Sequence, residues 1–160
     1  MYQLYMGKIP SSYTEDYWIY AFSPTNKGEE ISSLQLRLKK KVEMMKNNRL
    51  RTGKWLCFVS RKRVDEMWNK IKQATEKGLL GIESKVSTAK PKNVKIRHEK
   101  DTHVICIYTY DWTDKKDVKR VRNELRKLGV INRIPYKTDE DTIKDKYTSK
   151  GSKGISKFYE

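Results

Sequence analysis

The sequence predicts an α+β protein in which an antiparallel sheet carries its helices on one face. Short segments rich in β-branched and aromatic residues alternate with segments whose apolar residues recur every three or four positions, as strands and helices require. Two strand-like segments, 79–88 and 102–110, follow each other with only a loop between them. Such a link predicts a hairpin, because parallel strands need a long crossover connection. A doubly wound parallel sheet is the weaker alternative.

The chain begins with a predicted strand and a predicted basic helix. Residues 17–22 are aromatic and β-branched and stop at Ser23-Pro24, which predicts the first strand. The next apolar residues recur at helical spacing and predict a helix over 31–47. They are Ile31, Leu34, Leu38, Val42 and Met45. Three consecutive lysines lie on the far side of this helix, namely Lys39, Lys40 and Lys41.

A second strand and helix follow. Residues 54–60 form an apolar run bounded by Gly53, and Ser60 is a candidate N-cap for a helix over 62–77. Gly78 is placed to end that helix. Its apolar side is predicted to contain Val64, Met67, Trp68, Ile71 and Thr75.

The C-terminal half starts with the predicted hairpin, whose strands are joined by the long basic loop 89–101. A helix is predicted over 114–128, with Gly129 as its C-terminal stop, and a last strand over 131–136. The inward side of the helix is predicted to hold Val118, Val121, Leu125 and Leu128.

The chain of 160 residues fits a single domain. No repeat or linker divides residues 1–160. Residues 148–160 are rich in Ser, Lys and Gly, and we predict that they form a mobile tail.

Positive charge is the strongest compositional signal. The chain has 36 Lys and Arg against 20 Asp and Glu, a net charge of +16. Basic residues are concentrated in 37–54, 90–100 and 144–157. A compact domain with this imbalance repels itself, which predicts a polyanionic partner, with nucleic acid as the first candidate. The alternative is a well-solvated basic surface without a ligand.

Other patterns argue against membrane and metal sites. No apolar run approaches the roughly 18 residues of a membrane span, and no secretion signal begins the chain, so we expect a cytoplasmic protein. Cys57 and Cys106 lie inside apolar runs, as buried free thiols do. His98 and His103 do not combine with them at metal-ligand spacing. We predict neither a metal nor a cofactor.

Three segments resemble, in order, parts of the mRNA-cap-binding translation initiation factor. Residues 52–56, with the sequence Thr-Gly-Lys-Trp-Leu, resemble its Gly-basic-Trp-Leu strand. Residues 104–109 and the helix 114–128 resemble its apolar strand, with an aromatic before Thr, and its long helix. Residues 136–142 resemble its segment that runs from Tyr to Asp-Thr. The likeness covers residues 52–147.

A closer likeness is to the basophilic-leukaemia-expressed (Bles-type) family of archaea and eukaryotes, which is placed with the same fold. The matching motifs are Lys85-Val86-Ser87-Thr88-Ala89-Lys90, His103-Val104-Ile105-Cys106 and Tyr136-Lys137-Thr138-Asp139. The resemblance implies a curved antiparallel sheet with helices on its convex face. Because the family is sometimes labelled a phosphothreonine lyase, the resemblance also implies an enzymatic alternative.

The cap-binding family holds a cationic base between two tryptophans and grips phosphates with Arg and Lys. Trp55 and Trp68 match structural tryptophans of that fold, so we predict that they belong to the core. The Trp-Glu pair that the cap-binding family has shortly before this strand is absent, because residues 44–48 occupy its region. Thr88 occupies the position of a phosphate-binding Arg of that family. Tyr108 matches the aromatic that touches the methylated base. The resemblance therefore implies nucleotide binding without the paired-Trp sandwich.

We predict a phosphate-binding rim at the hairpin. Ammonium and guanidinium groups neutralise phosphate, and hydroxyls donate to its oxygens. The rim contains Lys85, Ser87, Thr88 and Lys90, with Lys95 and Arg97 from the adjoining loop. Tyr108 would stack a base, and Tyr136 and Lys137 would close the far side. The alternatives are a solvated hairpin edge and, around Asp139 and Asp141, an Asp-rich turn.

The predicted function is binding of RNA or a phosphate-bearing nucleotide on a basic concave sheet surface, without catalysis. The alternative, a phosphothreonine lyase, would use Lys85 or Lys137 to abstract a proton and His103 to protonate the leaving phosphate. A His at the start of a core strand is also typical of a structural residue. A third hypothesis is that the protein is an interaction module for an acidic protein partner.

Overall fold

Six strands and three helices make up the parts of the chain that the computed structural model describes, which are residues 7–24, 51–91, 101–147 and 156–160. In chain order they are β1 (Trp18–Phe22), β2 (Gly53–Ser60), α1 (Arg61–Glu76), β3 (Glu83–Ser87), β4 (Thr102–Thr109), α2 (Lys115–Lys127), β5 (Pro135–Thr138), α3 (Asp139–Tyr147) and β6 (Phe158–Tyr159). The predicted helix 31–47 with Lys39, Lys40 and Lys41, and the loop residues Lys95 and Arg97, lie outside these ranges.

All six strands belong to one curved sheet with the order β1-β3-β4-β2-β5-β6. Every pairing is antiparallel, and β3 and β4 pair as the predicted hairpin. The longest pairing joins β2 to β4 over eight residue pairs, from Gly53 opposite Thr109 to Ser60 opposite Thr102. The α+β prediction is confirmed.

One side of this sheet forms the core with α1 and α2. Successive residues of a strand point to opposite faces, so Trp55 and Ile107, which are opposite each other in the β2–β4 register, lie on the same side. The Trp55 indole N–H donates to the Val118 carbonyl at 3.1 Å, which fixes α2 against β2. Trp68 of α1 is 3% exposed. The core placement of Trp55 and Trp68 is confirmed.

Both long helices end at glycines with positive φ, Gly78 at +76° and Gly129 at +103°, as predicted. Their starts differ. The Asp114 carboxylate accepts from the Asp117 backbone N–H at 3.2 Å and caps α2. Ser60 precedes α1 but makes no side-chain capping bond, and the Arg61 N–H donates instead to the Asp101 carbonyl at 2.7 Å.

Two predicted strands have different bounds. The segment predicted as strand 79–88 pairs only from Glu83. Before it, Gly81 lies so close to β4 that an added Cβ would be 1.7 Å from the Tyr108 carbonyl oxygen. The prediction of strand 131–136 is wrong at its start. Ile131 is 78% exposed, and β5 begins only at Pro135.

The end of the chain differs from the sequence prediction in two places. The Asp-rich segment after Thr138 is helical, because Asp139–Tyr147 form α3. The Thr138 hydroxyl accepts from the Asp141 N–H at 3.1 Å, as in a helix cap. Within the predicted tail, Phe158–Tyr159 form β6 and pair with β5, so this part of the tail belongs to the sheet.

Trp68→Ala tests the core. The truncation should lower the free energy of unfolding by about 3–5 kcal/mol, since a large buried side chain leaves a cavity. Urea unfolding measures the change. The control is Ile131→Ala at the exposed position, which should shift stability by no more than about 0.5 kcal/mol. A soluble Trp68→Ala protein with an unchanged midpoint would show that Trp68 is not in the core.

Candidate ligand-binding face

The side of the sheet away from α1 and α2 carries the predicted ligand residues. We call it the open face. Because residues opposite each other in an antiparallel pair point to one side, the register defines its rows. The first row across the sheet holds Phe22, Glu83, Tyr108, Lys54 and Lys137. The second row holds Tyr20, Lys85, Cys106 and Leu56.

Lys85 lies among aromatic rings of the open face. Its ammonium is 4.0 Å from the centroid of Trp18 and 5.6 Å from that of Tyr108. Both distances are in the range of cation–π attraction. Tyr20 and Phe22 lie beside them, with parallel rings 6.0 Å apart. The open face therefore combines aromatic rings with a positive charge.

Lys54 is different, because its charge is paired and buried. The Lys54 ammonium donates to Asp139 Oδ1 at 2.8 Å and to the Thr142 hydroxyl at 3.1 Å. The Thr52 hydroxyl donates to the other oxygen of Asp139 at 2.5 Å. The side chains of Lys54 and Asp139 are 9% and 4% exposed. This network fixes α3 to the edge of the open face and neutralises one of its lysines.

The Tyr108 ring is more buried than expected for a residue that stacks a base. It is 3% exposed, and its neighbours on the ring include the Lys54 ammonium at 5.3 Å. Burial raises the pKa of the Tyr108 phenol, so the phenol stays neutral. The β1 rings of the open face, Trp18, Tyr20 and Phe22, are only partly buried.

Sequence reasoning missed Trp18 and Tyr20 as candidate ligand residues. The signal was present in β1, where Trp18, Tyr20 and Phe22 alternate with Ile19 and Ala21. Ile19 and Ala21 are buried, while the three aromatic residues share the open face.

Fewer residues of the predicted phosphate-binding rim are accessible than the sequence indicates. The Ser87 hydroxyl accepts from the Val104 N–H at 2.9 Å, and the Thr88 hydroxyl donates to the Asp16 carbonyl at 2.5 Å. Ser87 and Thr88 are only 5% and 7% exposed, because these hydrogen bonds hold them against the segments of Val104 and Asp16. Lys90 is exposed, and its ammonium donates to the Glu15 carbonyl at 2.8 Å. Lys85 and Lys90 remain as the rim cations within the described residues.

Tyr136 does not lie on the open face. It is opposite Trp55, is fully buried and contacts the Trp55 ring edge-on at 5.1 Å. Its hydroxyl is 2.6 Å from that of Thr109, and burial raises its pKa to about 12. A Cβ added to Gly53 would be 2.3 Å from the Tyr136 oxygen. Tyr136 is therefore a core residue, whereas Lys137, the next residue, lies on the open face opposite Lys54.

The three residues of the lyase alternative are not brought together. His103 is opposite the buried Val59, on the helix side of the sheet, and is 5% exposed. Its Nδ1 is 2.8 Å from the Ser87 carbonyl. Lys85 and Lys137 lie on the opposite side. The geometry is that of a satisfied structural His.

The cysteines lie inside the sheet. Cys57 and Cys106 are both buried and form no disulfide, and burial raises the pKa of the Cys57 thiol to about 11. Among the described residues, no cluster of three His, Cys, Asp or Glu side chains could hold a metal ion. No helix in the described ranges is long and apolar enough to cross a membrane.

The model of the family described as basophilic leukemia-expressed protein Bles03 matches residues 13–142. The chain belongs to this family. The match includes β1 to β5, and so includes the open face.

Solved structures with a similar fold are eIF4E proteins. One is a schistosome eIF4E complexed with m7GpppA and 4E-BP, with 12% identity over 91% of this chain and 97% of that one, and a TM-score of 0.51. Another is C. elegans eIF4E-3 with the 4E-binding protein Mextli and a cap analog, with 17% identity and a TM-score of 0.49. This match covers 71% of the present chain and 59% of the C. elegans protein. At 12% identity, the likeness to the schistosome protein establishes the fold alone.

The Lys54–Asp139 pair generates a stability prediction. Lys54→Met and Asp139→Asn should each cost about 3–5 kcal/mol, because each leaves a buried charge without its partner. The double variant should cost clearly less than the sum of the two. Urea unfolding of the four proteins measures this coupling.

The matched control is the exposed Glu66–Lys70 pair, 3.1 Å apart on α1. Its coupling should be only about 0.3–0.5 kcal/mol. A Lys54–Asp139 coupling as small as that of the control would contradict the buried network.

Proposed function

We propose that this protein binds RNA, or a phosphate-bearing nucleotide, on its open face. The observation that carries the proposal is the position of the Lys85 ammonium 4.0 Å from the Trp18 ring, with Tyr20 in the row beside it. Proteins that bind single strands without sequence preference combine aromatic rings that stack bases with cations that contact the backbone. Trp18 and Tyr20 would stack a base, while Lys85, Lys90 and Lys137 would contact phosphates.

The charge of the whole protein supports a polyanionic ligand. A net charge of +16 attracts nucleic acid from a distance and accelerates association. The schistosome eIF4E with a similar fold forms a complex with a nucleotide, m7GpppA, and with a binding protein, 4E-BP. The same fold in this family would thus be used for a related class of ligand, with an acidic protein as the competing partner.

The arrangement of tryptophans does not favour a paired-Trp sandwich. Trp55 and Trp68 are 1% and 3% exposed and belong to the core. Trp112 packs against the core, with the Lys157 ammonium 4.4 Å from its ring. Among the four tryptophans of the chain, Trp18 is the one on the open face. A base would therefore stack on Trp18 alone or between Trp18 and a neighbouring tyrosine.

Salt dependence tests the electrostatic part of the proposal. Three phosphate contacts to a single strand predict a slope of about −2 in a plot of log K against log salt, or roughly a 20-fold weaker affinity after a fourfold increase in salt. Titration of a labelled single-stranded RNA by fluorescence anisotropy measures the slope. An affinity that stays flat over that range would reject an electrostatic interface, and no saturation at low salt would reject RNA binding itself.

Charge reversal tests the position of the site. The triple variant Lys85→Glu, Lys90→Glu and Lys137→Glu should abolish RNA binding, because it reverses the charges proposed to contact phosphates. The matched control reverses the same number of exposed charges at Lys62 and Lys70 of α1 and at Lys77, the residue that follows this helix. The control should bind RNA more weakly but measurably. Loss of binding in the control and retention in the open-face variant would place the site on the wrong side of the sheet.

A further inference from the structure

The open face has a third row, two residues along the strands from the second. In β1 its residue is Trp18, which is opposite Ser87 of β3. Ser87 is bonded to β4 through its hydroxyl, which accepts from the Val104 N–H at 2.9 Å. Val104 is in turn opposite Phe58 of β2. The row therefore crosses four strands, with Trp18 at one end and Phe58 at the other.

Phe58 is 60% exposed on the open face. Single exposed apolar side chains are normal on proteins and need no explanation. Phe58, however, is not isolated, because Leu56 and Val104 lie beside it on the same face and are only partly buried. Together with the partly buried Trp18 they form an apolar strip across the open face. Contiguous exposed apolar surface is typical of binding sites.

The two aromatic residues of this row lie far apart, with small residues between them. Neighbouring strands are about 4.8 Å apart, so the three intervals from β1 through β3 and β4 to β2 separate the backbones of Trp18 and Phe58 by about 14 Å. Ser87 and Val104, which lie between them, have short side chains. A single base held between two rings needs them about 7 Å apart, twice the stacking distance. The row therefore offers two separate stacking positions.

We propose that the ligand of the open face is a single strand of RNA several nucleotides long, with one base stacked on Trp18 and a second, further along the strand, stacked on Phe58. The inference rests on the proposed function and specifies its ligand class. A mononucleotide can use only one end of the row, whereas an oligonucleotide can use both. Phe58 is then a binding residue for oligonucleotides alone.

The charges at the two ends of the row favour a polyanionic strand. At one end the exposed Lys90 is held close to β1, because its ammonium donates to the carbonyl of Glu15, three residues before Trp18. At the Phe58 end, three exposed basic residues follow β2 directly, namely Arg61, Lys62 and Arg63. An apolar protein segment would cover the rings but leave these cations without a complementary charge, whereas RNA supplies both bases and phosphates.

The test compares UMP with octauridylate, whose bases stack weakly on one another and so are available to the protein. Isothermal titration calorimetry at low salt measures both affinities. Phe58→Ala should weaken binding of octauridylate about 10-fold, the effect of losing one stacked base, and should change the affinity for UMP by less than about twofold. Trp18→Ala should weaken the binding of both ligands.

Two further variants separate stacking from simple apolar contact. Phe58→Tyr keeps a ring and should retain the wild-type affinity for octauridylate. Phe58→Leu keeps an apolar side chain without a ring and should lose most of the affinity that Phe58→Ala loses. The matched control is Ile131→Ala, which removes an exposed apolar side chain elsewhere and should leave both affinities unchanged. Thermal melting of each variant verifies folding, which the exposure of Phe58 should preserve.

The two proposals fail in distinguishable ways. If Phe58→Ala or Phe58→Leu binds octauridylate as tightly as the wild-type protein does, Phe58 stacks no base and the inference is wrong, while RNA binding by the wild-type protein would leave the proposed function standing. Equal affinity of the wild-type protein for UMP and octauridylate would also overturn the inference, because the ligand would then be a mononucleotide. No binding of either ligand, together with no binding of RNA, would reject both proposals.

Discussion

The pairing of β2 with β4 determines both sides of this molecule. Trp55 and Ile107 point to the helices, and their sequence neighbours Lys54 and Tyr108 point to the open face. A slip of one residue in this register would exchange the two sets, burying a lysine among the helices and exposing a tryptophan. The core and the candidate site are therefore specified together. The fully buried Tyr136, packed over Gly53, adds a steric reason for the same register, because any larger residue at position 53 would displace its ring.

The buried ion pair between Lys54 and Asp139 also affects the open face. Two charges removed from water stabilise a fold little unless their geometry is good and their remaining hydrogen-bonding groups are satisfied. Asp139 meets both conditions, because Lys54 and Thr52 occupy its two oxygens. The Lys54 ammonium is therefore paired with a residue of α3. Lys85, in contrast, lies against an aromatic ring of the open face, 4.0 Å from the centroid of Trp18.

Sequence patterns predicted the elements whose apolar periodicity and terminating residues indicate the same bounds. The strand at 102–110 and the helices at 62–77 and 114–128 have strong apolar periods and, for the helices, a glycine at the end, and each is found within two residues of its predicted bounds. The segment at 131–136 lacked such agreement. The carbonyls of Val130 and Asn132 accept from the buried Arg122 guanidinium at 2.8 and 2.7 Å instead of joining a strand. Arg122 lies in α2, eight and ten residues before its two partners, so the apolar pattern of 131–136 by itself does not reveal this contact.

The candidate site was predicted in part, and the errors follow from strand parity. In the register Lys85 and Lys137 lie on one face, whereas Tyr136, which was grouped with its neighbour Lys137, lies on the other, because consecutive strand residues point to opposite sides. In β1 every residue is apolar or aromatic, so hydrophobicity alone cannot decide which side faces the helices. Residue size decides it: Ile19 and Ala21 fit between β1 and α1, and the larger Trp18 and Tyr20 are left on the other side with room for their rings. The aromatic surface is therefore a consequence of how closely α1 packs on the sheet, and it lies next to Lys85 because β1 pairs with β3.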